Sequence, residues 1–202
     1  MKTMKASFRK MMLTTHITFS IGWFGAVAVF LALAITGLST QNSQTARAVC
    51  IALKLSTWLV VVPFCIASLI TGIIQGLGTK WGLFKHYWII VKLVLTLAMT
   101  ILLWLHLEPI NYLASVANQT SFSNTEQTNS FIQLISKAGA ALLVLIAIIT
   151  ISKYKPWGKV GVTKFKTSAL TNVNWKRILM VVGICLFIGM IVIHLFGGGV
   201  KH

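Results

Sequence analysis

Four histidines lie at the ends of long apolar segments, and their positions pair them by depth. His16 and His86 lie at one end of their segments, and His106 and His194 lie at the other. A bis-histidine haem needs two neutral imidazoles from different helices at one depth. The spacing therefore predicts haem b ligated by His16 with His86, and by His106 with His194. The alternative is that all four are interfacial residues that water and lipid headgroups satisfy.

Three lysines lie inside or near the ends of the same segments and could bind anionic groups: Lys54, Lys92 and Lys137. No Asp or Glu lies in any apolar segment, so a lysine facing the interior would need a lipid phosphate or a bound anion as its countercharge. The alternative is that each lysine extends its aliphatic stem toward the interface. Trp23 follows His16 by seven residues, on nearly the same helical face, and joins the candidate site.

The elements that must position these residues are membrane-spanning helices. Of 202 residues, 56% are hydrophobic and 10% are charged, which excludes a soluble globular domain and a disordered chain. Five stretches are long enough to cross about 30 Å of hydrocarbon, at about 17–38, 52–74, 88–107, 131–151 and 178–196. The sequence predicts an all-α integral membrane bundle of five transmembrane helices, forming one domain over 1–202, with a kink at Pro63.

The basic residues predict the orientation of this bundle. The chain has 18 Lys and Arg against 2 Asp and Glu. Most of the cations precede the first span or lie between spans two and three or four and five. The positive-inside rule places those segments, and the N-terminus, in the cytoplasm, and the C-terminus outside. The run Lys153–Arg177 is accordingly assigned to anionic membrane lipids and not to nucleic acid.

Small residues and cysteines add two further expectations. Gly22, Gly25, Gly37 and the run Ala138–Ala141 predict close helix contacts. Cys50, Cys65 and Cys185 form no CxxC pair, which indicates packed thiols. No clustered Met, Cys and His motif points to copper, and no HExxH or HxxxH points to zinc.

Two runs resemble a family of predicted bacterial integral membrane proteins that is distantly similar to the membrane domain of copper-resistance protein D. The first run is His16-Ile-Thr-Phe-Ser-Ile-Gly-Trp23-Phe-Gly25. The second is Thr71-Gly72 … Gly76-Leu-Gly78-Thr-Lys-Trp81-Gly82-Leu-Phe-Lys-His86-Tyr-Trp88 … Lys92-Leu-Val-Leu-Thr96. The resemblance covers roughly residues 13–100. It implies a multi-pass protein of the bacterial plasma (inner) membrane and a first-half site near His16, Trp23, Trp81 and Lys92, with copper and haem as associations of neighbouring families.

The leading functional hypothesis is a membrane protein that binds haem b and acts in electron transfer or redox sensing. Its expected partners are membrane lipids, haem and a membrane redox partner or quinone. Two alternatives stay open. One is a cofactor-free membrane subunit or transporter for an anionic or lipidic substrate, and the other is copper or other metal handling.

Overall fold

The computed structural model describes residues 4–79, 83, 86–117 and 124–154, and the elements these residues form are helices. They run in the order α1 (Ala6–Ser39), α2 (Ser43–Ser56), a π-helical turn (Thr57–Val61), α3 (Val62–Gly78), α4 (Tyr87–Leu105), α5 (Leu107–Val116) and α6 (Asn124–Tyr154). The chain divides into two units, Met1–Gly158 and Lys159–His202. The described residues all belong to the first unit.

Four continuous helical stretches are long and apolar enough to cross a membrane: Ala6–Ser39, Ser43–Gly78, Tyr87–Ser115 and Thr128–Tyr154. Large apolar side chains such as Ile21, Leu59 and Ile101 are more than half exposed on their outer surfaces, as expected where lipid is the solvent. The all-helical, multi-pass membrane architecture is thus confirmed for this part of the chain. The fifth predicted span, 178–196, lies outside the described residues.

The helices extend beyond the apolar windows that predict them. α1 has 34 residues, which at 1.5 Å each makes it about 51 Å long against about 30 Å of hydrocarbon. It begins at Ala6, well before the predicted start near residue 17. A hydropathy pattern detects only the part of a helix that lies in lipid. The polar first turns of α1 were therefore not predicted.

A π-helical turn precedes Pro63 in the second span, where the sequence predicts a kink. Proline has no N–H, and its ring would collide with the carbonyl of the residue four positions earlier. The backbone widens just before it, and the Val62 N–H donates to the carbonyl of Thr57, five residues earlier. Pro63 then occupies the first turn of α3, where no N–H is needed.

Pro109 explains a second interruption, which the sequence analysis did not predict. α4 ends at Leu105, four residues before Pro109, and His106 separates it from α5. The interval between the third and fourth predicted spans, residues 108–130, is therefore helical in its first part, because α5 continues to Val116. Its Ile110, Leu113 and Ala114 are buried at helical spacing, so packing holds the helix together in this segment.

Two contacts define the two ends of the bundle. At the near end, where α1 begins, the Met4 N–H donates to the Gly78 carbonyl at the end of α3 over 3.2 Å. At the far end, where α1 ends, Gly37 lies against the ring of Phe131 near the start of α6. The near end therefore holds the beginnings of α1 and α4 and the ends of α3 and α6.

Small residues make some of the predicted close contacts and not others. A methyl group on Gly22 would lie 2.7 Å from the Phe64 ring, and one on Gly37 would lie 3.0 Å from Val49 Cγ1. These two positions are confirmed as close contacts. At Gly25 and Gly139 added methyl groups would meet none of the described residues within 4 Å, so no close contact is seen there in this part of the chain.

Candidate functional site

A cavity of about 650 Å³ opens between α1, α3, α4 and α6 at the near end. Its described lining includes four basic side chains, namely Arg9, Lys10, Lys92 and Lys153. Neither of the two acidic residues of the chain, Glu108 and Glu126, belongs to this lining. The described wall of the cavity therefore carries positive charge with no carboxylate to balance it.

His16 is a buried polar group in this wall, with 7% of its surface exposed. Its Nδ1 lies 3.1 Å from Thr71 Oγ1, and its Nε2 lies 3.2 Å from Lys92 Nζ. The Thr71 hydroxyl donates to the Ala67 carbonyl over 2.6 Å, so it accepts from His16 Nδ1–H. A lysine ammonium can only donate, so with Lys92 protonated His16 is a neutral imidazole that accepts at Nε2.

Lys92 places a cation within the apolar part of α4. The helix begins at Tyr87, so Lys92 lies about 8 Å along its axis at 1.5 Å per residue. The side chain is half-buried, and its Nζ reaches His16 on α1 and Ser152 Oγ on α6, at 3.2 Å and 3.5 Å. Both partners are neutral groups, so the ammonium keeps an unbalanced charge at the cavity wall.

Gly72 makes room for the imidazole. A methyl group at this position would lie 3.1 Å from His16 Cε1, closer than an ordinary side-chain contact. Thr71 and Gly72 are neighbours on α3, so one residue holds the ring by a hydrogen bond and the next lets it approach the helix. This geometry is the physical use of the Thr71-Gly72 pair in the sequence.

A ladder of polar contacts continues from His16 into the bundle along α3. Ser68 Oγ lies 2.8 Å from Ser20 Oγ on α1, and Cys65 Sγ lies 3.3 Å from Thr100 Oγ1 on α4. Together with Thr71, these α3 positions form a stripe spaced by three residues, and each hydrogen-bonds across to another helix. Such bonds help to hold membrane helices together.

Three of the predicted site residues line the same cavity. His16, Trp23 and Lys92 all belong to its wall, and Trp23 is 3% exposed. Trp81, the fourth residue of the site that the family resemblance implies, lies outside the described residues. The first-half cluster is therefore brought together in space as far as the described residues reach.

His86 lies elsewhere. It is buried just before α4, with its ring 6.2 Å from that of Trp88, and it is not among the described residues that line the cavity. The nitrogens of His16 contact Thr71 and Lys92, so iron ligation at Nε2 would first have to displace the Lys92 ammonium. In this conformation Nε2 is hydrogen-bonded to Lys92, and the haem pairing stays a prediction.

The second predicted pair is divided between described and undescribed residues. His106 Nδ1 is hydrogen-bonded to the carbonyl of Leu102 in its own helix, whereas His194 lies outside the described residues. Lys54 is exposed on α2, in agreement with a side chain that reaches the interface, and Lys137 is half-buried on α6. Among the described residues, no group of three or more His, Cys, Asp or Glu side chains could hold a metal ion.

Sequence reasoning missed two members of the near-end cluster, Thr71 as a partner of His16 and Ser152 as a partner of Lys92. A hydroxyl residue on an apolar helix carries little signal, because Ser and Thr also bond to carbonyls of their own helix. Thr96 and Thr150 do so here. The only hint for Thr71 was its place beside Gly72 in the run that carries the family resemblance.

No family model, no curated protein and no solved structure matches this chain.

Proposed function

We propose that this multi-pass membrane protein binds an anionic ligand in the near-end cavity, with Lys92 as the anchoring cation. The observation that carries the proposal is the Lys92 ammonium at the cavity wall, whose partners are His16 and Ser152 and not a carboxylate. Cations within membrane segments are costly unless they are paired or hydrated. A bound anion would supply the negative charge that the described wall of the cavity lacks.

The surrounding groups favour the same ligand chemistry. Arg9, Lys10 and Lys153 add positive charge at the rim, and all three are exposed. His16 accepts a hydrogen bond from the Lys92 ammonium and so holds Nζ at the cavity wall. A hydrogen bond to a charged group contributes about 1.5–3 kcal/mol, roughly 10- to 150-fold in affinity. The loss of the Lys92 ammonium should therefore weaken ligand binding by a factor in this range.

The near end is the cytoplasmic end in this proposal. The N-terminus is cytoplasmic, a fifth span over 178–196 follows, the C-terminus is extracytoplasmic, and the host membrane is the bacterial inner membrane. Support comes from the charges, because Lys5, Arg9, Lys10 and Lys153 lie on the near-end termini of α1 and α6. The cavity then faces the anionic cytoplasmic leaflet.

The proposal is tested by thermal unfolding of the purified protein in a non-ionic detergent. Inorganic phosphate, acetate and dihexanoyl phosphatidic acid are each added to wild type, Lys92→Met and Lys54→Met. Methionine keeps most of the length of the lysine stem and removes its charge. Lys54 is an exposed lysine on α2, outside the cavity lining, and serves as the matched control.

We expect at least one of these anions to raise the unfolding temperature of wild type and of Lys54→Met, but not of Lys92→Met. Ligands that bind only the native state raise its apparent stability in this way. Equal stabilisation of Lys92→Met and wild type would overturn the proposal. So would the absence of stabilisation of wild type by all three anions.

Haem b binding is the second candidate, favoured by a different feature of the same cavity. His16 lies there with Trp23, Trp88 and basic side chains that could hold propionates. When bound, haem would supply one-electron redox chemistry, and His16 would have to exchange Lys92 for iron.

The test of this candidate is the absorption spectrum of protein from haem-replete cells, oxidised and then dithionite-reduced. A sharpened α band that is lost in His16→Ala and kept in Lys54→Met supports haem. A featureless visible spectrum removes haem and leaves the proposal of an anionic ligand in place.

A further inference from the structure

The composition of the cavity wall identifies the class of anion. We infer that the ligand is an anionic phospholipid, which enters sideways from the membrane with its phosphate at Lys92 and an acyl chain along α1 and α6. The inference rests on the proposed function and adds the source and the route of the ligand.

The first observation is that apolar side chains line the cavity and face lipid at the same time. Leu13, Ile17 and Ile21 follow one another at four-residue spacing on α1, and each is 44–59% exposed. This stripe extends about 12 Å along the helix at 1.5 Å per residue. A side chain that both lines a cavity and is exposed lies at the mouth of that cavity. The described wall therefore opens on the lipid-facing surface beside Leu13, Ile17 and Ile21.

The second observation comes from α6, on the other side of that mouth. Leu145 and Ile148 are buried members of the lining, whereas Ile149, one residue later, lines the cavity and is 45% exposed. The two helices thus present apolar edges to the same opening. A soluble anion would gain nothing from these edges, whereas an acyl chain would bury against both.

The third observation is the arrangement of charge around this apolar slot. Lys92 lies inside the wall, with Arg9, Lys10 and Lys153 exposed at the near-end rim. Several cations above an apolar groove match a phosphate headgroup above its chains better than the single carboxylate of a fatty acid. Charge and apolar surface together therefore favour an anionic phospholipid.

Trp23 provides a reporter for the chain. It lines the cavity on α1, is only 3% exposed and lies two residues beyond Ile21. Lipid around an ordinary helix surface has little access to so buried an indole. A quencher on an acyl chain reaches it only if the chain occupies the cavity.

The experiment places the protein in nanodiscs of phosphatidylcholine and replaces a fraction of the lipid with a brominated analogue. Bromine on an acyl chain quenches tryptophan fluorescence on contact. The probes are brominated phosphatidylglycerol, brominated phosphatidylcholine and brominated stearic acid. The fluorescence of Trp23 is obtained by subtracting the spectrum of Trp23→Phe from that of wild type. The subtraction cancels the fluorescence of the other six tryptophans of the chain.

We expect brominated phosphatidylglycerol to quench the Trp23 signal at a concentration roughly fivefold lower than brominated phosphatidylcholine, the preference that one basic residue gives. Lys92→Met should abolish this preference and Lys54→Met should keep it. Equal quenching by the two phospholipids, or a preference that survives Lys92→Met, would overturn the inference. Stronger quenching by stearic acid than by phosphatidylglycerol would overturn the assignment to a phospholipid.

The two proposals fail in different ways. Stabilisation by inorganic phosphate that depends on Lys92, with no quenching of Trp23 by any lipid, keeps the anion site and rejects lateral lipid entry. If no anion stabilises the protein and no lipid shows a preference that depends on Lys92, both are rejected.

Discussion

The two ends of the bundle are built from similar residues and use them differently. At the near end, His16 bridges α1 to α3 and α4 through Thr71 and Lys92, beside an open cavity. At the far end, His106 bonds to Leu102 of its own helix, and the helices meet by packing at Gly37. The position of a histidine at a helix end therefore does not determine its role. What differs is whether neighbouring helices bring polar partners to it.

This comparison predicts a separation of stability from binding. The far end is held by close apolar packing and should control the free energy of unfolding. The near end contains a cation with no described carboxylate partner and should control ligand affinity. The predictions below test that division, beginning with the largest effect on stability.

Gly37→Val should destabilise the protein by about 1–3 kcal/mol, the usual cost of overpacking a close contact. A side chain at this position would run into the Phe131 ring and lie 3.0 Å from Val49 Cγ1. Anion affinity should stay within about twofold of wild type, because the cavity lies at the other end of the bundle. Thermal and denaturant unfolding in detergent measure the first quantity, and ligand titration measures the second.

The control for this variant is Gly25→Val, on the same helix. It makes the same change in helix propensity, but an added methyl group at Gly25 meets none of the described residues within 4 Å. Equal loss of stability in the two variants would show that helix propensity, and not packing against Phe131, causes the effect.

Much of the fold could be predicted from the sequence, because apolar length alone marks a membrane helix. The first four predicted spans lie within described helical stretches, and a π-helical turn precedes Pro63, where a kink is predicted. The break at His106 was missed because it depends on Pro109, whose effect falls four residues upstream. The start of α6 at Asn124, before the predicted residue 131, was missed because its first turn is polar.

The candidate site was only partly predictable. His16, Lys92 and Trp23 stand out as polar or aromatic residues in apolar segments, and they do line one cavity. Their pairing could not be predicted, because the rotation of each helix about its axis is set by packing. His16 therefore meets Lys92 and not the predicted His86 in the described cavity, through contacts 76 residues apart in sequence.

Thr71→Val should weaken anion binding by between about twofold and tenfold, the range expected for one lost hydrogen bond. Valine keeps the shape of threonine but removes the hydroxyl that accepts from His16 Nδ1–H, so the ring holds Lys92 in place less firmly. Thr71→Ser keeps the hydroxyl and should retain most of the affinity. A wild-type affinity in Thr71→Val would show that His16 does not position Lys92.

Ser20 and Ser68 should show a small coupling. Their hydroxyls lie 2.8 Å apart between α1 and α3, and interhelical bonds of this kind contribute about 0.6 kcal/mol in double-mutant cycles. The cycle compares Ser20→Ala, Ser68→Ala and the double variant by denaturant unfolding. Strictly additive effects would mean that the two serines stabilise α1 and α3 independently.

The central claim is that Lys92, and not the lysines of the far end, binds the anion. Isothermal titration calorimetry of dihexanoyl phosphatidic acid against wild type, Lys92→Met and Lys137→Met tests it directly. Wild type and Lys137→Met should bind with equal affinity, and Lys92→Met should lose at least roughly tenfold in affinity. Equal affinities for wild type and Lys92→Met, or a larger loss in Lys137→Met, would contradict it.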